Sequence, residues 1–96
     1  MGHYQLTSKA DADIDGIYEY TIQKFGLRQA QKYLGEMEDK FSKLVEYPSF
    51  GSDYGFISPD LRRYELAAHS VYYVPAKDGI LILRVLGNSQ DPAWHF

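Results

Sequence analysis

The sequence predicts an α+β fold in the order β-α-α-β-β-β: a strand, an antiparallel helical hairpin and a three-stranded antiparallel meander. Two amphipathic segments separated by a single glycine, Gly26, predict the helical hairpin. The Asp78-Gly79 pair between two apolar segments predicts the tight turn of a strand hairpin. A chain of 96 residues is long enough for one domain. We assign that domain to residues 1–96, with a tail at residues 87–96.

The first strand is predicted at residues 3–7, where apolar and polar residues alternate. Thr7 or Ser8 is suited to cap the helix that follows, and Ser8 with Asp11 forms a plausible capping box. Further aspartates follow in the first turns, where the helix dipole favours negative charge. The aspartates are Asp11, Asp13 and Asp15. We interpret them as part of a solvated helix face, and the alternative interpretation is a catalytic or metal-binding cluster.

The two helices are predicted at residues 9–25 and 27–47, with Pro48 ending the second. Each carries an apolar stripe at three- and four-residue spacing. The first stripe consists of Ala10, Ile14, Ile17, Tyr18, Thr21 and Phe25. The second consists of Ala30, Tyr33, Leu34, Met37, Phe41, Leu44 and Val45. Gly26 suits a left-handed cap at the end of the first helix. The stripes predict that the hairpin packs on one face of the sheet.

A loop rich in Gly, Ser, Asp and Pro is predicted at residues 49–60. Strands are predicted at residues 61–67, 69–75 and 79–86. The last strand is apolar except for Arg84, which is typical of a strand inside its sheet or covered on both faces. A charge in such a strand has to be paired, so pairing with a core carboxylate is our main interpretation and target contact the alternative. The sequence does not indicate which strand pairs with the first strand.

Composition excludes several classes of function. The chain has no cysteine, which excludes disulfides and cysteine-based metal sites. A net charge of −3 gives no support for nucleic acid as a direct partner. There is no Gly-rich phosphate loop, nucleophile elbow or metal-binding histidine spacing, so we expect no metal and no cofactor. Without a membrane-length apolar run or a secretion signal, we expect a cytoplasmic protein.

Short groups of residues in a fixed order run along nearly the whole chain. They are Tyr4-Gln5-Leu6-Thr7 with Ala10, Tyr20-Thr21, Phe25-Gly26, Gln29-Ala30, Tyr33, Phe41, Leu44, Pro48, Gly51, Ile57, Pro59, Leu61-Arg62, His69, Tyr72-Tyr73, Asp78-Gly79-Ile80, Ile82, Arg84-Val85-Leu86 and Asp91. As an ordered set they resemble the ParE branch of the ParE/RelE superfamily of bacterial toxins. Two positions depart from that family's pattern, Ser52 where arginine is frequent and Gly87 where histidine is frequent.

The resemblance implies the toxin of a type II toxin–antitoxin system, which inhibits DNA gyrase by protein binding rather than catalysis. It also implies a hetero-oligomer with a ParD-like antitoxin, whose C-terminal segment folds over the helical hairpin. The candidate gyrase contacts are Arg84, Asp91 and Trp94. The candidate antitoxin contacts are Tyr18, Ile22, Tyr33, Met37 and Phe41. Trp94 and Phe96 have two interpretations, a lid folded onto the sheet or an anchor for a partner.

Two alternative functions remain open. A ribosome-dependent mRNA endonuclease of the RelE type needs a base, an acid and cations around the scissile phosphate. Its candidate residues are Arg62, Arg63, His69, Arg84 and His95. We interpret His69 as structural, because no paired carboxylate or second histidine is near it in sequence. The other alternative is an antitoxin-binding homologue that has lost toxicity, which the residues at positions 52 and 87 suggest.

Overall fold

A computed structural model describes residues 2–96 and contains two long helices and a five-stranded sheet. The elements are β1 (His3–Leu6), α1 (Ser8–Phe25), α2 (Leu27–Glu46), β2 (Ser52–Asp53), β3 (Arg62–Leu66), β4 (His69–Ala76) and β5 (Gly79–Gly87). Short 3₁₀ turns occupy Pro48–Phe50 and Pro92–Trp94. The predicted order is confirmed. The short strand β2 lies within the predicted loop and adds a fifth strand at the edge of the sheet.

The sheet has the strand order β1-β5-β4-β3-β2. β1 pairs with β5 in parallel, from His3 opposite Gly79 to Leu6 opposite Ile82, and all other neighbours are antiparallel. This gives the first strand its neighbour and confirms the predicted interior position of β5. Gly79 is required at this pairing, because a Cβ atom there would overlap the backbone carbonyl of His3.

The turn between β4 and β5 differs by one residue from the prediction. Ala76 pairs with Gly79, so the two turn residues are Lys77 and Asp78 rather than Asp78-Gly79. Asp78 has a φ of 64°, a conformation that aspartate tolerates better than most residues. The carbonyl of Asp78 also accepts a hydrogen bond from the amide of His3 at 2.8 Å, so the turn helps to hold β1.

Thr7 ties the start of α1 to the sheet. Its side-chain oxygen accepts a hydrogen bond from the amide of Ala10 at 3.0 Å and donates one to the carbonyl of Leu83 at 2.8 Å. The predicted capping box of Ser8 and Asp11 is wrong, because Thr7 is the cap and Ser8 is already the first helical residue. One hydroxyl therefore both caps α1 and satisfies a carbonyl of β5.

Gly26 alone separates the two helices. Its φ of 91° suits glycine, as predicted, and it forms the C-cap of α1 and the N-cap of α2. Phe25 does not join the core as its position on the apolar stripe predicts; its side chain is 68% exposed. Phe25 is the last residue of α1, and the helix places its side chain in the solvent beside the turn.

The sheet buries apolar residues on both faces. The cluster under the helices consists of Ala10, Met37, Phe41, Leu44, Leu66, Val71, Tyr73, Ile80, Ile82 and Val85. The cluster on the opposite face consists of Leu61, Tyr72 and Leu86, with Tyr54, Ile57, Val74 and Leu83 partly buried against it. The loop between β2 and β3 thus covers the face that the helices leave open. This second cluster explains why β5 is apolar on both sides.

Candidate functional site

Arg84 forms a two-pronged ion pair with Asp13 of α1. Its Nε and Nη2 atoms donate to the two carboxylate oxygens of Asp13 at 2.7 and 2.9 Å. Both side chains are largely buried, with 17% and 16% of their surface exposed. The hydrogen bonds that the Asp13 carboxylate accepts raise the pKa of Arg84. Pairing of Arg84 with a core carboxylate is thus confirmed, whereas the interpretation of Asp13 as part of a solvated face is wrong.

A β-bulge in β5 lies directly before Arg84. Tyr72 lies opposite Arg84 and Tyr73 lies opposite Ile82, so Leu83 is an extra residue in β5. β1 has already ended at this level, and the amide of Val85 donates instead to the Asp13 carboxylate at 3.0 Å. A side chain of α1 therefore replaces a missing strand neighbour beside Arg84.

The tail turns back towards the sheet after β5. Asp91 caps the 3₁₀ turn at Pro92–Trp94 by accepting from the amide of Ala93 at 3.0 Å. His95 accepts a hydrogen bond on Nδ1 from Nη1 of Arg84 at 3.2 Å. Phe96 packs its ring 5.4 Å from that of Tyr72. The tail is therefore held at its base, at His95 and at Phe96.

The two interpretations of the tail aromatics apply to different residues. Phe96 lies against Tyr72 of the sheet, as a lid would, with 39% of its surface still exposed. Trp94 points away and is 85% exposed, although the residues on either side of it are anchored. Of the three candidate gyrase contacts, Arg84 is engaged with Asp13 and His95, Asp91 caps the turn, and Trp94 is free to touch a partner. Their binding role stays a prediction.

The candidate antitoxin contacts lie at two depths. Met37 and Phe41 are 1% and 2% exposed, so they support the hairpin from within the core. Tyr18, Ile22 and Tyr33 are half-buried and reach the surface. Only these last three can touch a partner without unfolding of the hairpin, and their role also stays a prediction.

Two adjoining recesses run beside α1, and we call them together the α1 groove. One has a volume of about 340 Å³ and is lined by Ala12, Asp13, Gly16, Ile17, Tyr20, His69, Val85, Gly87 and Gln90. The other has a volume of about 310 Å³ and is lined by Tyr20, Thr21, Phe25, Gln29, Tyr33, Glu36, Ala67, Ala68 and His69. Tyr20 and His69 belong to both. Tyr20 and Phe25 are surface aromatic residues that the sequence pattern did not identify, although the position of Phe25 beside the turn glycine was a signal.

The candidate residues for RNA cleavage have separate partners. Arg62 donates to the carbonyl of Gly51 at 2.7 Å, at the edge of the sheet. Arg63 pairs with Glu65 at 2.7 Å. Burial lowers the pKa of His69 below its ordinary value, which keeps the ring neutral near neutral pH. Nδ1 of His69 lies 2.8 Å from the hydroxyl of Tyr33. These contacts agree with a structural role for His69.

Residues 2–96 contain neither a cluster of metal-ligating side chains nor a helix that could span a membrane. No group of three or more histidine, aspartate or glutamate side chains is placed there to hold a metal ion. No helix in the same range is long and apolar enough to cross a bilayer. His69 and His95 bond instead to Tyr33 and Arg84.

Comparison with known proteins agrees with the resemblance found in the sequence. The family described as ParE toxin of type II toxin–antitoxin system, parDE, matches residues 4–92. Toxin ParE1 of Caulobacter vibrioides is 31% identical, and the alignment covers 99% of this chain and 98% of the relative. Toxin ParE of Escherichia coli is 29% identical, with 95% of this chain and 89% of the relative aligned.

A solved structure shares the fold. A chain from the chromosomal ParDE toxin–antitoxin system of P. aeruginosa superposes with a TM-score of 0.76 and is 25% identical. The match covers 91% of this chain and 96% of that one. The predicted β-α-α-β-β-β fold is therefore confirmed by a structural relative as well as by its own elements. The chain belongs to the ParE toxin family of type II toxin–antitoxin systems.

Proposed function

We propose that the protein inhibits DNA gyrase by binding to it, with Trp94 as the central contact. The observation that carries this proposal is the exposure of Trp94 on an anchored tail. Tryptophan is strongly favoured at the centre of protein interfaces, and an isolated tryptophan ring in water gains much free energy when it is buried. Arg84 and Asp91 then support the contact, one below the tail and one at its base. Gyrase acts in the cytoplasm, which we propose as the site of action.

The α1 groove is the proposed seat of a ParD-like antitoxin. Its recess of about 310 Å³ is lined mostly by apolar atoms, and Tyr20, Phe25 and Tyr33 are among the lining residues. Phe25 and the neighbouring Leu27 are exposed beside it, so a partner that covers this end of the hairpin would bury them. An amphipathic segment that orders on binding suits such a groove, because its apolar face replaces water at these rings. Ile22 lies on the same helix, half-buried.

Protein binding accounts for the polar residues better than RNA cleavage does. A ribonuclease needs free cations and a base within reach of one phosphate. Arg62, Arg63 and Arg84 are each held by a different acceptor, and His69 is neutral and bonded to Tyr33. These contacts support the non-enzymatic proposal over the endonuclease alternative.

The test is a gyrase supercoiling reaction, with an mRNA-programmed translation reaction run beside it. We expect wild-type protein to stop supercoiling and leave the mRNA intact. Trp94→Ala should lose the inhibition, whereas Tyr47→Ala should keep it, because Tyr47 is an exposed aromatic residue at the far end of α2. Cleaved mRNA with unaffected gyrase would favour the endonuclease. No effect in either reaction would favour a homologue that has lost toxicity.

A further inference from the structure

Side chains at the start of α1, from its N-cap Thr7 and from Asp13, continue the edge of β5 beyond the end of β1. Strand pairing stops at Leu6 opposite Ile82. Past that point the carbonyl of Leu83 accepts from Thr7 and the amide of Val85 donates to Asp13. The backbone on both sides of Arg84 is therefore fastened, at Leu83 to the N-cap of α1 and at Val85 to α1 itself. This leaves Arg84 little freedom to move relative to the helix.

The Asp13 carboxylate fixes the orientation of the Arg84 guanidinium. It accepts three hydrogen bonds, two from Arg84 and one from the amide of Val85. A guanidinium held through Nε and Nη2 is locked in its plane, since a two-pronged pair with a carboxylate has one geometry. Its remaining nitrogen, Nη1, then points to Nδ1 of His95 at 3.2 Å. Asp13 thus reaches the tail through one intermediate side chain.

The anchored tail presents Trp94 at low entropic cost. His95, the next residue, is tied to Arg84, and Phe96 is docked on Tyr72. The amide of Trp94 also donates to the carbonyl of Asp91 at 3.2 Å. An aromatic anchor that is already ordered loses less conformational freedom on binding than a mobile one. The order of the tail therefore affects affinity even though His95 itself need not touch a partner.

We propose that Asp13 is a positioning residue for the tail: it holds Arg84 so that Arg84 grips His95, and this chain of contacts fixes Trp94 in its outward position. The proposal deepens the proposed function and rests on it for its effect on gyrase. The predicted order of the tail does not depend on which target the protein binds. The order of the tail and the effect on gyrase are therefore measured separately.

The experiment compares Asp13→Asn with wild type, with Asp15→Asn as the matched control. Asp15 is an exposed carboxylate two residues further along the same helix. The first measurement is the 15N relaxation order parameter of the Trp94 backbone amide. Trp94 is the one tryptophan of the chain, so labelling with 15N-tryptophan gives a single backbone amide signal. We expect the order parameter to fall from about 0.85 to below about 0.6 in Asp13→Asn and to stay high in the control. The concentration for half-inhibition of gyrase should rise about tenfold.

His95→Ala provides a second, independent test. It removes the tail contact and leaves the Asp13–Arg84 pair in place, so it should mobilise Trp94 without a change in the thermal unfolding midpoint. Antitoxin affinity should be unchanged in His95→Ala, because His95 is outside the α1 groove.

The outcomes are distinguishable. A rigid Trp94 in folded Asp13→Asn or in His95→Ala would overturn the proposal. If Asp13→Asn fails to fold, a mobile Trp94 in His95→Ala supports the chain of contacts and a rigid one overturns it. If wild-type protein has no effect on gyrase, the proposed target fails, while the order parameters still decide whether Asp13 positions the tail. Inhibition that persists unchanged with a mobile tail would also overturn the proposed effect on binding.

Discussion

Removal of one hydroxyl group from the core should destabilise the protein measurably. The side chain of Tyr73 is fully buried in the cluster under the helices. Its hydroxyl donates to the carbonyl of Pro48 at 2.7 Å and accepts from the amide of Gly51 at 2.8 Å. Burial raises the pKa of Tyr73, so the hydroxyl keeps its proton and its donor role at ordinary pH. Tyr73→Phe removes both bonds and adds no atoms.

The expected loss follows from the two backbone groups left without a partner. A buried donor or acceptor that loses its hydrogen bond costs about 1–3 kcal/mol. Because water can reach part of this loop, we expect the lower half of the combined range, about 2–4 kcal/mol. A domain of this size has an unfolding free energy of roughly 5–10 kcal/mol, so the loss is a large fraction of it.

Urea denaturation followed by far-ultraviolet circular dichroism measures this loss. Trp94 fluorescence is unsuitable, because the ring is exposed before unfolding as well as after it. The midpoint should fall with little change in the slope. Tyr47→Phe is the matched control, since Tyr47 is 53% exposed. A loss below about 1 kcal/mol in Tyr73→Phe would refute the argument that these bonds hold the loop.

Gly51 extends the same test to packing. Its φ of −74° is accessible to any residue, so conformational freedom does not explain the glycine. A Cβ atom there would lie 2.9 Å from Cε1 and 3.0 Å from Cζ of Tyr73, and nearest of all to the hydroxyl. Gly51→Ala should therefore be destabilising by about 1–3 kcal/mol. The cost should be smaller in the Tyr73→Phe background, because the nearest atom has gone, and fully additive effects would contradict this.

Further predictions concern the surface and pH. Trp94→Ala should change the unfolding free energy by less than about 0.5 kcal/mol, and a larger loss in urea denaturation would mean that the ring is packed. Ile22→Asp should weaken the antitoxin complex about 10- to 100-fold in titration calorimetry, with exposed Gln23→Asp as the control; equal affinities would exclude Ile22 from the interface. Burial lowers the pKa of His69 in the folded state, so the unfolded chain binds the proton first. The free energy of unfolding should therefore show no loss from His69 above about pH 6.5 and should decrease as the pH falls below that value. His69→Gln should remove this decline, and a variant with the same pH dependence as wild type would show that another group is responsible.

Local patterns predicted the elements of the fold well. Apolar spacing placed both helices within a residue or two of their observed bounds, and Gly26 and Pro48 marked where they end. These signals are local, because a helix face or a strand alternation is complete within a few turns of chain. Phe25 is the exception. It satisfies the spacing of the stripe, but nothing in the spacing tells where the sheet beneath the helix ends.

Pairings between distant residues could not be predicted in the same way. Asp13 and Arg84 are 71 residues apart, and nothing near either of them in sequence identifies the other. The need for a partner was predictable from the burial of a charge, whereas the identity of the partner depends on the position of α1 over β5. The split role of the tail rings is similar, since only the path of the chain decides that Phe96 meets Tyr72 and Trp94 does not.

The pairing of β1 with β5 has a consequence for how the protein is made. His3 and its strand partner Gly79 are 76 residues apart, so β1 leaves the ribosome long before the strand that completes its hydrogen bonds. The helical hairpin can form early from local contacts, whereas the sheet closes only after β5 has been translated. Translation products that stop before β5 should therefore lack a stable sheet, so the complete fold arises only from chains that are almost fully synthesised.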